Sequence, residues 1–205
     1  MYRPDAYVLS VRLSERVVVL IAFIGMLFAS APSAATTEFT AAGVLLIAEK
    51  DGSTYILLGR DRFRPWYEML AGSREVVADP DDDRESRRET AYETALRECF
   101  EESRGFLKPD FLLNVTDPAA FIRDGSFVFY RAQTEKFSVD EIVRAQIPDA
   151  ANQDPFREIA DYAWVSVEAV LSGSDAFVVD DVGRRIKVRR RLHSRLERAR
   201  AAGWL

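Results

Sequence analysis

The chain is poor in the two residues on which much side-chain catalysis and metal binding rest. Among 205 residues there is one cysteine, Cys99, and one histidine, His193. A lone thiol excludes an internal disulfide and any zinc cluster built from thiolates. A serine or cysteine nucleophile would have to be activated by His193, and no nucleophile motif accompanies it. The plainer reading of His193 is a polar position on a C-terminal helix. A calcium loop is also missing. Asp79, Asp81 and Asp83 alternate as one would, but Arg84 stands where glycine is needed and Thr90 where glutamate is needed. That run reads as a solvated loop. No internal repeat or linker divides the chain, and 48% apolar residues suffice for one core. The formal net charge of -5 excludes no small-molecule partner. No nucleic acid is expected as a partner.

Residues 1–35 read as a signal peptide outside the fold. Arg12 and Arg16 precede the apolar run Val17–Ala29, and small residues follow, with Ser33 and Ala35 suited to cleavage after Ala35. This leader implies export to the periplasm or the extracellular space. An uncleaved membrane anchor is the alternative, because Val17 to Ala35 is about 19 residues and near the lower limit of a span. Pro32 and the serines make its end a poor hydrocarbon segment. A start codon at Met26 would instead leave the chain in the cytoplasm.

Residues 36–205 then read as one domain. Thr37–Ala48 and Thr54–Leu58 are strands joined by a turn at Asp51-Gly52-Ser53. Gly72 permits a tight turn after Trp66–Leu70. Val77–Arg88 is polar and aperiodic, hence a loop. Phe111–Val115, Ser126–Ala132 and Ala160–Val165 read as strands, Val139–Gln146 as a short helix and Ser166–Leu171 as a helical turn. A final helix from about Val182 to Ala202 carries nine Lys/Arg between Arg184 and Arg200 against one acid. Its basic face suits an anionic surface, a phosphate, or solvent alone.

The informative stretch is Glu89–Gly105. Thr90 and Glu93 form a capping box, and Gly105 is a helix stop. Tyr92, Ala95, Leu96 and Cys99 make a buried stripe at helical spacing. Glu98, Glu101 and Glu102 gather on another face, within an arc of about 100°. Like charges at this spacing destabilise a bare helix by a few tenths of a kcal/mol per pair. A hard divalent cation with oxygen ligands reverses that sign. A solvated helix face is the alternative.

With Gly72 upstream, the run Glu89, Arg97-Glu98-Cys99-Phe100-Glu101-Glu102 resembles the Nudix box, G-x5-E-x7-R-E-U-x-E-E-x-G-U, where U is aliphatic. Cys99 takes an aliphatic slot. There are two departures: sixteen residues rather than five separate Gly72 from Glu89, and Ser103-Arg104 precede Gly105 where one residue is expected. The resemblance implies an α/β/α sandwich around a mixed sheet. It implies hydrolysis of a diphosphate in a nucleoside-diphosphate-type substrate by water, with Mg²⁺ or Mn²⁺. Glu101 and Glu102 would be the main metal ligands, Glu98 a further ligand or the base that orients water, and the Gly72 carbonyl a neighbour of the metal. Arg97 would hold the cluster by pairing with Glu89 or Glu101. Glu89 and Glu158 are further candidate acids. Phe63, Trp66 and Tyr67 are candidates to stack a base or to pack the core. The other function class is a non-catalytic module of the same fold acting at an anionic partner or membrane through its basic C-terminal helix.

Overall fold

The turn at Asp51-Gly52 sets the first two strands of the sheet. Both residues have positive φ, 51° and 74°, which joins strand β1 (Ala41–Lys50) to β2 (Ser53–Asp61) as an antiparallel hairpin with Ile47 opposite Ile56. The computed structural model of the chain describes residues 38–78, 86–145, 147, 155–173 and 176–205. The leader at 1–35 and the acidic run at 79–83 therefore lie outside the described residues.

Further strands are β3 (Tyr67–Glu68), β4 (Leu70–Ser73), β5 (Val76–Ala78), β6 (Ser86–Arg88), β7 (Thr116–Asp124), β8 (Phe127–Thr134) and β9 (Ile159–Ser166). The large sheet runs β3-β2-β1-β8-β7, with β4 also on β1 and β9 on β2. Only β1 and β8 are parallel; the other pairings are antiparallel, so the sheet is mixed. Central strand β1 is apolar without alternation because both its faces are covered. Val44, Leu46 and Ala48 pack with helices α1 (Ala91–Glu102), α2 (Pro109–Val115) and α3 (Val139–Arg144). Leu45 and Ile47 pack with α4 (Val167–Ser172) and α5 (Arg190–Ala201). The result is an α/β/α sandwich. Each fully buried Leu or Ile in these layers contributes about 1.5–3 kcal/mol.

Tyr92, Ala95, Leu96 and Cys99 are buried against β1 and β8, and the Thr90–Glu93 capping box is formed. Other expectations are corrected. Phe111–Val115 is helical because Pro109 occupies the first turn, where its missing N–H costs nothing, and Leu112 faces the core. The polar stretch 77–88 is a loop only in part: β5 and β6 pair as a hairpin. The terminal helix starts at Arg190, not near Val182, because Phe177–Val179 (β10) and Arg185–Lys187 (β11) form a second hairpin.

The end of α1 is a further correction. No extra residue is inserted after Glu102. Arg104 itself adopts φ +59°, in the slot where the Nudix pattern has glycine. Its amide reaches the Glu101 carbonyl at 2.9 Å and the Gly105 amide reaches the Phe100 carbonyl at 2.8 Å, a Schellman motif with arginine at its left-handed position. A left-handed conformation costs a non-glycine residue about 1–2 kcal/mol. Arg104 Nε is also buried without a hydrogen-bond partner. Arg104→Gly is therefore expected to raise the unfolding free energy by about 1 kcal/mol, read as a higher urea midpoint at unchanged slope.

Candidate active site

Capped at Thr90, α1 runs beside β4 and presents Arg97, Glu98, Glu101 and Glu102 to one cavity of about 520 Å³. Gly72, on β4, is paired with Ala42 of β1 and lines the same cavity. The approach is close: a Cβ added to Gly72 would lie 2.1 Å from Glu98 Cδ. Only glycine lets the strand and the carboxylate share this space. The long insertion does not push Gly72 away, because it is clipped at its base. The Glu89 amide donates to the Glu75 carbonyl at 2.9 Å, and the Glu75 amide donates to Glu89 Oε2 at 3.0 Å. The described part of the inserted hairpin beyond this clip does not line the cavity.

Arg97 is the hub. Its guanidinium donates to Glu89 Oε1 at 2.7 Å, Glu89 Oε2 at 3.0 Å, Glu101 Oε2 at 2.9 Å and the Ser73 carbonyl at 2.8 Å. It also meets Glu98 at 2.9 Å and Glu75 at 3.6 Å. Glu89 additionally accepts from the Thr94 hydroxyl at 2.9 Å. Burial pushes the Glu89 carboxyl up, but Arg97 and the Glu75 amide outweigh it and it titrates below the usual range. Glu89 is thus the anchor of Arg97 and is absent from the cavity wall.

The acids of the wall titrate in the other direction. Burial pushes Glu98 up to about 7, with Arg97 opposing and the charges of Glu101 and Glu158 adding. Glu101 is raised by burial against the pull of Arg97. Glu102 is raised well above the usual range by burial and by the charge of Glu98, although the Ala71 amide donates to it at 2.6 Å. Glu158 follows the 3₁₀ turn Pro155–Arg157 and reaches the same cavity. That turn is seated on α1 by Phe156, whose ring meets Phe100 edge-on at 5.3 Å. The far end of α1 is held to β9 by the Tyr162 hydroxyl, which donates to the Glu102 carbonyl at 2.5 Å.

Among the described residues no group of three acids, histidines or cysteines closes into a cage for an ion. The donor set nevertheless suits a hard cation. Mg²⁺ is usually held by one or two carboxylates, waters and substrate phosphates rather than by a protein cage. Burial is the leading cause of the raised pKa of Glu98, Glu101 and Glu102, and a cation beside them would favour their ionised forms.

A family model described as NUDIX domain matches residues 37–184, well over half of the chain. The chain belongs to the Nudix family. As a Nudix enzyme it is a pyrophosphohydrolase. No curated protein matches the chain. Among solved structures, a C. elegans Ap4A hydrolase in a binary complex is similar at 16% identity and TM-score 0.41, over 80% of this chain and 97% of that one. RenU, a Nudix hydrolase of M. smegmatis, is similar at 16% identity and TM-score 0.44, over 80% and 86%. The NUDIX domain of Shewanella oneidensis NrtR, solved with ADP ribose, is similar at 16% identity and TM-score 0.43, over 86% and 95%. At these values the likenesses say nothing of this Nudix enzyme's substrate.

Sequence reasoning missed the part of the site supplied by the C-terminal segment. Arg189, Arg191 and Arg195 line the cavity. Most of the basic residues there are engaged inside the fold. Arg189 pairs with Glu68, Arg195 with Glu68 and Asp124, Arg198 with Asp124, and Arg200 with Glu168. Of the aromatics, Tyr67 is buried, Phe63 is exposed and off the cavity, and Trp66 lines it.

The contact between Gly72 and Glu98 gives a test. A Cβ there must displace the Glu98 carboxylate, and a misplacement of about 1 Å at a reacting group costs roughly a hundredfold in rate. Gly72→Ala is expected to lose about that much kcat while keeping a cooperative thermal transition.

Proposed function

We propose that this Nudix enzyme hydrolyses the pyrophosphate linkage of a nucleoside-diphosphate-type substrate with Mg²⁺ or Mn²⁺ at Glu98, Glu101 and Glu102. The observation that carries the reading is the joint placement of these three acids and Glu158 in one cavity, against the backbone of Gly72. A divalent cation bound there neutralises charge on the phosphate oxygens and makes bound water a better nucleophile. The chain's own groups do the positioning, which is most of what phosphoryl transfer requires. Arg97 fixes Glu98 and Glu101 relative to Glu89 and the β4 loop. Glu98, lining the cavity beside Arg97, is positioned to orient the attacking water or accept its proton. Oxygen from water joins phosphorus as the bridging P–O bond breaks, and the leaving phosphate takes the electron pair. Trp66 supplies an aromatic face on the cavity wall for a base. We also infer export, from the leader at 1–35. Among the described residues no helix is long and apolar enough to cross a membrane.

The alternative of a non-catalytic module docking through the C-terminal helix is weakened by the pairing of Arg189 and Arg195 with Glu68 inside the fold.

A panel of nucleotide and sugar diphosphates is expected to be turned over with Mg²⁺ or Mn²⁺ and not after chelation. Glu101→Gln and Glu102→Gln are each expected to lower kcat by two or more orders of magnitude without unfolding the domain. Wild-type rates in both variants would refute the metal site.

A further inference from the structure

The cavity that holds the acids is also lined by the arginines Arg64, Arg97, Arg189, Arg191 and Arg195. Arg195 is only 4% exposed. It is fixed by Glu68 at 2.5 Å and Asp124 at 3.3 Å, with its guanidinium 3.8 Å from the centre of the Phe127 ring. Arg189 shares Glu68, and Arg198 shares Asp124 at 3.5 Å. Arg189 and Arg195 are thus held by these carboxylates, and Arg198 lies off the cavity wall. Arg191 differs: it is exposed at the cavity wall and, among the described residues, pairs with no acid. The other cavity arginines are occupied, Arg97 by four glutamates and Arg64 by Asp61 at 3.5 Å.

An arginine held to its neighbours by carboxylates positions other groups. One left free in a cavity that binds phosphorylated molecules is available to the ligand. Arginine suits this role because its planar donors engage phosphate oxygens in pairs. A neutral group beyond the scissile linkage would gain no charge-assisted contact from a free guanidinium.

We propose that Arg191 is a specificity-determining residue that binds a phosphate of the substrate beyond the scissile pyrophosphate. The preferred substrate class is then a nucleoside polyphosphate, or a nucleotide with a further phosphomonoester, over a diphosphate ending in a neutral sugar or lipid. The inference rests on the reading of the site as a pyrophosphohydrolase centre. It goes beyond that reading by assigning a charge to the rest of the substrate.

The test compares a nucleoside triphosphate with the diphosphate-hexose of the same nucleoside, in wild type, Arg191→Gln and Arg191→Lys. Loss of one hydrogen-bonded charge contact corresponds to about tenfold or more in affinity. The expected result is a preference for the triphosphate that falls at least tenfold in Arg191→Gln, carried by KM rather than kcat, and partly restored in Arg191→Lys. Calorimetric binding of a methylene-bridged triphosphate analogue is expected to weaken by the same factor and to weaken further with salt. A preference ratio and an analogue Kd within twofold of wild type in Arg191→Gln would overturn the inference while leaving the hydrolase reading intact. Analogue binding that depends on Arg191, in a protein that turns over neither substrate, would support the inference and refute the hydrolase reading.

Discussion

The guanidinium of Arg97 meets four carboxylates and a backbone carbonyl, and the geometry of the site depends on that arrangement. Glu89 lies eight residues earlier, before the helix begins; Glu101 lies one turn later; Glu75 and Ser73 belong to the segment leaving β4. One cation therefore ties the helix, its approach and the neighbouring strand together. The Glu89 carboxylate that anchors it is buried and satisfied by Arg97, Thr94 and an amide, so it stays ionised despite its burial. Breaking a pair of this kind on one side leaves an uncompensated buried charge, at a cost of about 3–5 kcal/mol.

The same framework forces the remaining acids into proximity. Glu98, Glu101, Glu102 and Glu158 are crowded by α1 on one side and the β4 backbone on the other, and one arginine cannot balance them all. Burial, with the neighbouring charges adding, raises the pKa of Glu98, Glu101 and Glu102. The divalent cation proposed at these acids would supply the missing positive charge. Arginines from the C-terminal segment line the same cavity as the acids of α1.

Much of the carboxylate half was legible because it is local. The capping box, the apolar stripe and the i, i+3, i+4 spacing of the glutamates lie within one helix, and hydrophobic runs marked β1, β2 and β9. What escaped depends on distant partners. The C-terminal arginines read as a basic face, since Glu68, more than a hundred residues away, gives no local sign of pairing with Arg195. Strand β7 was not among the expected strands; it is placed by its pairing with β8. Phe111–Val115 has strand composition, and Pro109 at its start decides for a helix. Arg104 in a glycine slot could not be placed without its φ, because the adjacent Gly105 looked like the stop.

Crystals soaked in Mn²⁺ and measured near the manganese absorption edge test the central claim most directly. The expected result is an anomalous peak among the carboxylates of Glu98, Glu101 and Glu102 that is lost in Glu101→Gln. No peak there at a Mn²⁺ concentration that supports turnover, or a peak held by other residues, would contradict the assignment of this helix as the metal-binding element.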